Sequence, residues 1–423
     1  MLSRVVTAAV VLAGCTTSAF AWGAAGHEIA ATIAQIHLHP SVFPKMCEIL
    51  NYTSTNPNEP QCHLAPVATW ADKLRYKMRW SGPLHYIGAV EDHPSQTCAF
   101  PGPRGWQGKY GGNVLGAIRN VTNILEDSVY YSEAGRMNFH SDEMENEALK
   151  FLIHFMGDMH MPLHLTGRDR GGNSQKVLFS HRQTNLHSLW DGLLIAKALR
   201  SVPRKYNHPL PAPKIEYALR GTIYDSYVRM IMWEGVLGKW EHEVPGWLTC
   251  PSTTRSRSIS LAFPTSLAAF WEQTLLVWNR ITGGGVMDTD DDLICPYYWA
   301  TPIHALNCEL VWPKALDEPP YNNHTRLVNA DAHQHQCGSE SPANELAQVD
   351  SVGRFIGGAP GGPYLELDTP QYSGVITKQW IIEKLLAQAG IRLAGVLNYL
   401  FADIEDPEEA KLWRSGQGLR IHV

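Results

Sequence analysis

Beyond its first twenty-one residues this 423-residue chain has no uninterrupted apolar stretch near the roughly 18 residues that a membrane helix needs, so no stable membrane association is expected. Positive charge is also short: 35 Lys and Arg stand against 41 Asp and Glu, a formal net charge of −6. The molecule therefore has no overall field to gather polyanions. If it handles nucleic acid, the positive charge must be local, and metal ions are one source of it. No internal repeat recurs and no linker clearly splits the chain, so one large domain, or two at most, is expected. What the chain does have is an ordinary globular composition, 44% hydrophobic and 18% charged.

The start of the chain reads as a targeting segment. A lone Arg4 precedes an apolar run from Val5 to Leu12, and Ala19-Phe20-Ala21 forms a small-x-small site before Trp22. Cleavage there leaves a secreted, extracellular chain that begins at Trp22, with residues 1–21 as its signal peptide. Leu12-Ala13-Gly14-Cys15 also fits a bacterial lipoprotein cleavage box, but sequons at Asn51, Asn120 and Asn323 fit a glycosylated secretory protein better. Cleavage removes one basic residue and no acidic one. Seven cysteines then remain (Cys47, Cys62, Cys98, Cys250, Cys295, Cys308 and Cys337), enough for three disulfides and one thiol, with the connectivity open.

Apolar residues recur at helical spacing over 28–38, 64–78, 114–125, 145–159, 186–199, 217–237, 267–281 and 380–400. The fold class is all-α, mostly helical, with short strands such as 176–179. Loops rich in Pro, Gly and polar residues are expected over 202–213, 244–260, 283–292, 316–342 and 357–370. Asp288, Asp290, Asp291 and Asp292 read as a solvated acidic loop, with a cation site as the alternative.

The densest chemistry lies in His154-Phe-Met-Gly-Asp158-Met-His160-Met-Pro-Leu-His164 and in Asn185-Leu-His187-Ser-Leu-Trp-Asp191. In each, a His and an Asp stand four apart, so one helical face presents both. Imidazole nitrogen and carboxylate oxygen are ligands that zinc accepts. Pro162 should end the first helix and let His164 return from a new direction. Further candidates are Trp22 and His27, Asp72 with Arg75, and His85. Singly, each also has a plain structural reading: His27 lining a helix, Asp72 paired with Arg75, His85 as a satisfied core histidine.

Taken together, Trp22, His27, Asp72, His85, His154, Asp158, His164, His187 and Asp191 resemble the ligand set of the zinc-dependent single-strand nucleases of the S1/P1 type, whose fold is shared with bacterial zinc phospholipase C. The resemblance extends through Gly171-Gly-Asn173, Trp299-Ala300 before Cys308, and 385–400, covering 22–401 as one nuclease domain and leaving 402–423 as a tail. It implies three zinc ions per chain. One would be held by Asp72, His85, His154 and Asp158, a second by His164, His187 and Asp191. The third would take the free amine and carbonyl of Trp22, His27 and the shared Asp158, so signal cleavage would be part of activation. Zinc-activated water would hydrolyse phosphodiesters of single-stranded DNA and RNA to 5′-phosphates, with removal of 3′-phosphates as a further activity. In this reading Asp72, Arg75 and Asp158 serve catalysis, Arg75 being equally a candidate for a surface ion pair. Tyr86 would stack a base and Asn173 would contact substrate. His160 is not a ligand in that pattern and is left as structural or supporting. The resemblance is compatible with a Cys98–Cys308 disulfide and, as a local replacement for a second, Cys47–Cys62.

Two positions depart from the pattern. Gly88 stands where relatives carry an Asp that helps hold the base, and Gly192 stands where a polar residue is frequent. Both touch substrate contacts and neither touches a ligand. They keep open a phosphodiesterase of this fold acting on phospholipids, while an inactive secreted zinc-binding glycoprotein is the rival from another class. No obligate protein partner is expected.

Overall fold

A computed structural model describes residues 22–102, 104–109, 111–133, 140–251, 290, 293–322, 364–404 and 409. Helices dominate: α1 (Ala24–Ile36), α2 (Val42–Leu50), α3 (Trp70–Leu74), α4 (Val114–Glu133), α5 (Asp142–Met159), α6 (Leu186–Ser188), α7 (Leu194–Arg200), α8 (Pro213–Leu219), α9 (Asp225–Met230), α10 (Pro296–Leu306), α11 (Ser373–Gln379) and α12 (Ile381–Phe401). The 3-10 turn Arg79–His85 follows α3, and the π turn Leu189–Leu193 joins α6 to α7. Among the described residues the only sheet is an antiparallel hairpin, β1 (Lys176–Phe179) with β2 (Arg182–Asn185), Val177 opposite Thr184. No described helix is long and apolar enough to cross a membrane.

The core forms where α12 packs along α1 and across α5, while α4 covers the other side of α5. Ile29, Ile33, Ala34 and Ile36 of α1 and Leu386, Ile391, Ala394 and Leu397 of α12 are fully buried. Helices apolar over most of their circumference belong inside a large core. The start of α5 is fixed locally: Ser141 caps it by accepting from the Met144 N–H at 3.2 Å, and Asp142, Glu143 and Glu145 fill its first turn. Those carboxylates oppose the positive end of the helix dipole. The helix ends at Met159, just before Pro162 opens a 3-10 turn (Pro162–Leu165).

Two expected helices are broken. Residues 64–78 divide into a 3-10 turn at Ala65–Val67, where Pro66 withholds an N–H, and the short α3. Residues 217–237 divide between α8 and α9, because Gly221 takes a left-handed φ of 81°. Pro213, placed at the end of a loop from sequence, is the first residue of α8, where a proline costs no hydrogen bond. The expected helix at 267–281, the sequon at Asn323, Cys337 and the segment 1–21 lie outside the described residues. Asp290 of the acidic run caps α10 by accepting from the N–H groups of Tyr297 and Tyr298 at 2.9 and 2.7 Å. Asp288, Asp291 and Asp292 are outside the described residues.

Disulfides join Cys47 to Cys62, Cys98 to Cys308 and Cys250 to Cys295. His160, open between structural and supporting roles on sequence, ties α5 to α12. Its Nδ1–H donates to the Met156 carbonyl at 2.6 Å and its Nε2 accepts from Arg392 at 2.8 Å. Both nitrogens are thus used. Arg392 also donates to Trp247 O at 2.9 Å, and burial lowers its guanidinium to about 9. Replacing His160 by Ala leaves that buried guanidinium short of an acceptor and is expected to cost about 2–3 kcal/mol in urea melts, with bound metal unchanged. Loss of metal in this variant would contradict the structural role.

Candidate metal centre

The centre is built on the inner face of α5. His154 and Asp158, one turn apart, project together, and Gly157 between them leaves a gap into which α1 inserts His27. A Cβ on Gly157 would stand 2.4 Å from His27 Nδ1. The His27 ring therefore stacks flat on His154, centroids 4.0 Å apart at 12°. From the segment after α1 and α2, Asp72 on α3 and His85 at the end of the 3-10 turn close the opposite side.

Asp158 is the hub. One carboxylate oxygen lies 3.3 Å from His27 Nε2, and the other lies 2.9 Å from His85 Nδ1 and 3.4 Å from His154 Nε2. His154 Nε2 is also 3.8 Å from Asp72 and 3.2 Å from His85 Nδ1. Two sets have all their ligand atoms within 4.8 Å of one another: His27, His154 and Asp158, and Asp72, His85 and His154. His164 and His187 stack nearby, centroids 5.2 Å apart. Together with Asp191 they do not form an equally tight set among the described residues. Asp191 connects to the residues just before α1 through its carbonyl, which accepts from Gly23 N–H at 2.8 Å. That bond brings the fully buried Trp22 alongside.

Backbone carbonyls set the tautomers. His154, His164 and His187 direct Nδ1 at the carbonyls of Ala68, His85 and Gly171, at 2.7, 2.5 and 2.7 Å. A carbonyl accepts only from N–H, so in each ring the Nε2 carries the lone pair. This is the arrangement metal-ligating histidines adopt. The acceptors Ala68 and Gly171, like the gap at Gly157, have no signature in the sequence, since any residue supplies a carbonyl.

The donor set fits a cation on its own chemistry. His27 Nδ1 and Nε2, His85 Nε2, and one oxygen each of Asp72, Asp158 and Asp191 are buried without a hydrogen-bond partner. Orphaned buried polar atoms cost about 1–3 kcal/mol apiece, and folded proteins carry few of them. Without a cation, burial raises the carboxyls of Asp158 and Asp191 well above their ordinary range, with Asp72 adding to both and Asp158 also adding to Asp191. Burial likewise holds His27 and His164 well below theirs. His85 falls to about 4, chiefly through burial, with Arg75 adding and Asp72 opposing.

A third cluster, Asp92, Cys98 and His304, has ligand-like residues within the same 4.8 Å limit. It is structural, because Cys98 is bonded to Cys308 and Asp92 is already satisfied. The Asp92 carboxylate accepts from Ala99 N–H at 3.0 Å, Thr166 Oγ1 at 2.6 Å and His304 Nε2 at 3.0 Å.

The remaining site candidates surround this centre. Arg75 is half-buried at the end of α3, and its charge reaches both His85 and Asp158. Tyr86 has extended backbone (φ −149°, ψ 169°), so its ring faces solvent while His85 faces the centre. Asn173 donates to Arg170 O at 2.9 Å in the turn whose Gly172 carbonyl accepts from His187 N–H at 3.3 Å. A Cβ at Gly88 would meet the Gly167 backbone at 2.7 Å, so this backbone admits no side chain there. At Gly192 nothing stands within 4 Å of such a Cβ, and that side is open.

Comparison with known proteins agrees with this architecture. The S1/P1 nuclease family model matches residues 22–276. Endonuclease 2 of Arabidopsis thaliana is 31% identical over 274 residues, spanning 64% of this chain and 81% of that protein. Nuclease S1 of Aspergillus oryzae is 38% identical over 174 residues, 41% of this chain and 54% of that protein. Nuclease P1 of Penicillium citrinum is 36% identical over 180 residues, 42% and 60% respectively.

Because the raised carboxyls of Asp158 and Asp191 must ionise to hold a dication, metal entry at neutral pH should expel protons. Affinity should then rise with pH until those carboxyls are ionised beforehand. The lowered histidines already sit neutral there and add no such dependence. Titration calorimetry with zinc in buffers of different protonation enthalpy measures this; heats independent of the buffer would refute it.

Proposed function

We propose, from the premise that the chain belongs to the S1/P1 nuclease family, that it is a secreted, zinc-dependent endonuclease of single-stranded DNA and RNA. The observation that carries the reading is Asp158, whose two oxygens address His27 on one side and His85 with His154 on the other. A carboxylate so placed can serve two metal positions at once. Asp72, His85, His154 and Asp158 would hold one zinc, and His164, His187 and Asp191 a second. His27, Asp158 and the amine and carbonyl of a processed Trp22 would hold a third.

When bound, zinc supplies charge for phosphate oxygens and lowers the pKa of a coordinated water from ~15.7 toward ~7, so that no protein base is required. The chain's own groups do the rest. The carbonyls of Ala68, His85 and Gly171 hold three imidazoles in the ligating tautomer. Arg75 adds fixed positive charge on the Asp72 side of the centre, where the phosphoryl group carries its negative charge. The exposed Tyr86 ring offers a base a stacking face, and stacking accepts any base. Paired bases cannot present their faces to such a ring, which supports the preference for single strands. With Gly88 closed against Gly167, no side chain at that position reads the base, so base preference should be weak. Products with 5′-phosphates, and removal of 3′-phosphates from nucleotides, complete the proposal.

The primary test is release of acid-soluble nucleotides from single-stranded DNA and RNA by the secreted protein. Release should stop with chelator and return with zinc. Absence of release from both polymers by zinc-loaded protein would overturn the reading, and turnover of liposomes instead would point to phospholipid head groups.

A second test addresses Trp22. Protein carrying one extra residue before Trp22 should bind one zinc fewer and lose most of its activity. Equal zinc content in the extended and processed forms would refute the role of the amine.

A further inference from the structure

We propose that the segment from Trp70 to Tyr86, which delivers Asp72 and His85 to the centre, also carries on its outer side a track that holds single-stranded nucleic acid beyond the cleaved linkage. Tyr76, Lys77, Arg79 and Trp80 form this track. It rests on the nuclease reading for the identity of the strand, and extends it from one base at Tyr86 to a run of nucleotides.

Charge is the first observation. Lys73, Arg75, Lys77 and Arg79 lie within this stretch against a single acid, Asp72, in a chain whose net charge is −6. Positive charge is therefore concentrated beside the centre. A polyanion that the molecule as a whole does not attract would be drawn here.

Exposure is the second. Tyr76, Trp80 and Tyr86 are 67%, 61% and 53% exposed; Lys77 and Arg79 are exposed between the first two, and Lys73 is exposed just before them. A single exposed ring is unremarkable on a protein surface. Three rings interleaved with cations have the composition of a surface that stacks bases and pairs phosphates without reading sequence. Lys77 Nζ already stands 5.6 Å from the Tyr76 ring centroid, so ring and cation act as one unit.

Rigidity and reach are the third. The Leu74 carbonyl accepts from the N–H groups of Lys77 and Met78, at 2.8 and 2.9 Å. The Met78 carbonyl accepts from Ser81 N–H and Oγ, at 2.9 and 2.8 Å. The backbone of the turn is thus held, so its side chains leave from fixed positions and less order is lost when a strand binds. Trp80 is anchored at one edge on Phe151, 5.7 Å between centroids, while the rest of its ring stays open. Phe151 stacks on Phe155 at 5.0 Å, and Phe155 meets His85 at 5.3 Å. Three ring-to-ring steps therefore connect Trp80 to a metal-side imidazole. At roughly 3.4 Å per stacked nucleotide of one strand, a few nucleotides cover that distance.

The test uses zinc-loaded processed protein and two substrates, the dinucleotide TpT and an oligothymidylate roughly a dozen nucleotides long. A phosphorothioate form of the oligomer reports binding by fluorescence anisotropy without turnover. Tyr76→Ala and Trp80→Ala should each weaken oligomer binding by about 5- to 100-fold and raise its KM, and Trp80→Phe should restore much of the loss. Cleavage of TpT should be unchanged in all three. The double variant Lys77→Ala/Arg79→Ala should lower the slope of log affinity against log salt by about 1.4, since each phosphate that a cation neutralises on a single strand adds ~0.7 to that slope. Unchanged oligomer binding and salt slope, with TpT still cleaved, would overturn the track. If the parent protein cleaves neither substrate yet binds the oligomer through Trp80, the nuclease reading falls and the track stands.

Discussion

Everything in this structure turns on a charge problem at the inner face of α5. Asp72, Asp158 and Asp191 and the rings of His27, His85, His154, His164 and His187 share a region from which water is largely excluded. Among the described residues, the positive charge that Asp158 feels there comes from the His154 ring and from the half-buried Arg75. Burying ionised carboxylates so sparsely compensated is too costly to be a by-product of packing. The fold nevertheless devotes its two most buried helices to it: α1 supplies His27, and α12 backs both α1 and α5. A cation turns this liability into a stabilising element, because its attraction to the carboxylates grows in the same low dielectric that makes them costly alone.

Among the described residues, three polar clusters contain residues capable of binding a metal, and hydrogen-bond satisfaction separates them. His160 spends both nitrogens on Met156 and Arg392. Asp92 and His304 are occupied with each other and with Thr166 and Ala99, and their neighbour Cys98 is in a disulfide. At the centre, by contrast, the Nδ1 atoms of three rings are anchored to carbonyls while buried atoms of His27, His85, Asp72, Asp158 and Asp191 are left without partners. Oriented ligands with unspent capacity mark a site, whereas fully spent ones mark a strut. Satisfaction, more than residue type, is what distinguishes chemistry from architecture here.

The distribution of charge follows the same logic at larger scale. The chain is acidic overall, yet the segment that brings Asp72 and His85 to the centre is basic and aromatic on its outside. Inward-facing Asp72 and His85 and outward-facing Tyr76, Trp80 and Tyr86 come from one short, hydrogen-bonded stretch. The proposed metal positions and the proposed strand track would thereby be held at a constant separation by the same turns.

Much of this is legible in the sequence wherever it depends on neighbours in the chain. The spacing of His154 and Asp158 places them on one helical face because the backbone repeats every 3.6 residues, and the hairpin strand at 176–179 and the helix over 380–400 follow from their patterns. The same geometry separates His160, two positions past Asp158 and about 200° around the axis, although its chemistry is identical. What periodicity could not decide was long-range. The breaks at Pro66 and Gly221 interrupt runs whose apolar pattern continues across them. The pairing of Cys250 with Cys295 depends on which loops meet, and the emptiness beside Gly157 has meaning only once α1 lays His27 against it. The sequence determined the ligand types and the local faces that carry them. Only the packing of α1 and the 70–86 segment against α5 decided that Asp158 stands between His27 and His85, because contacts between residues so far apart are set by core burial and not by any local preference.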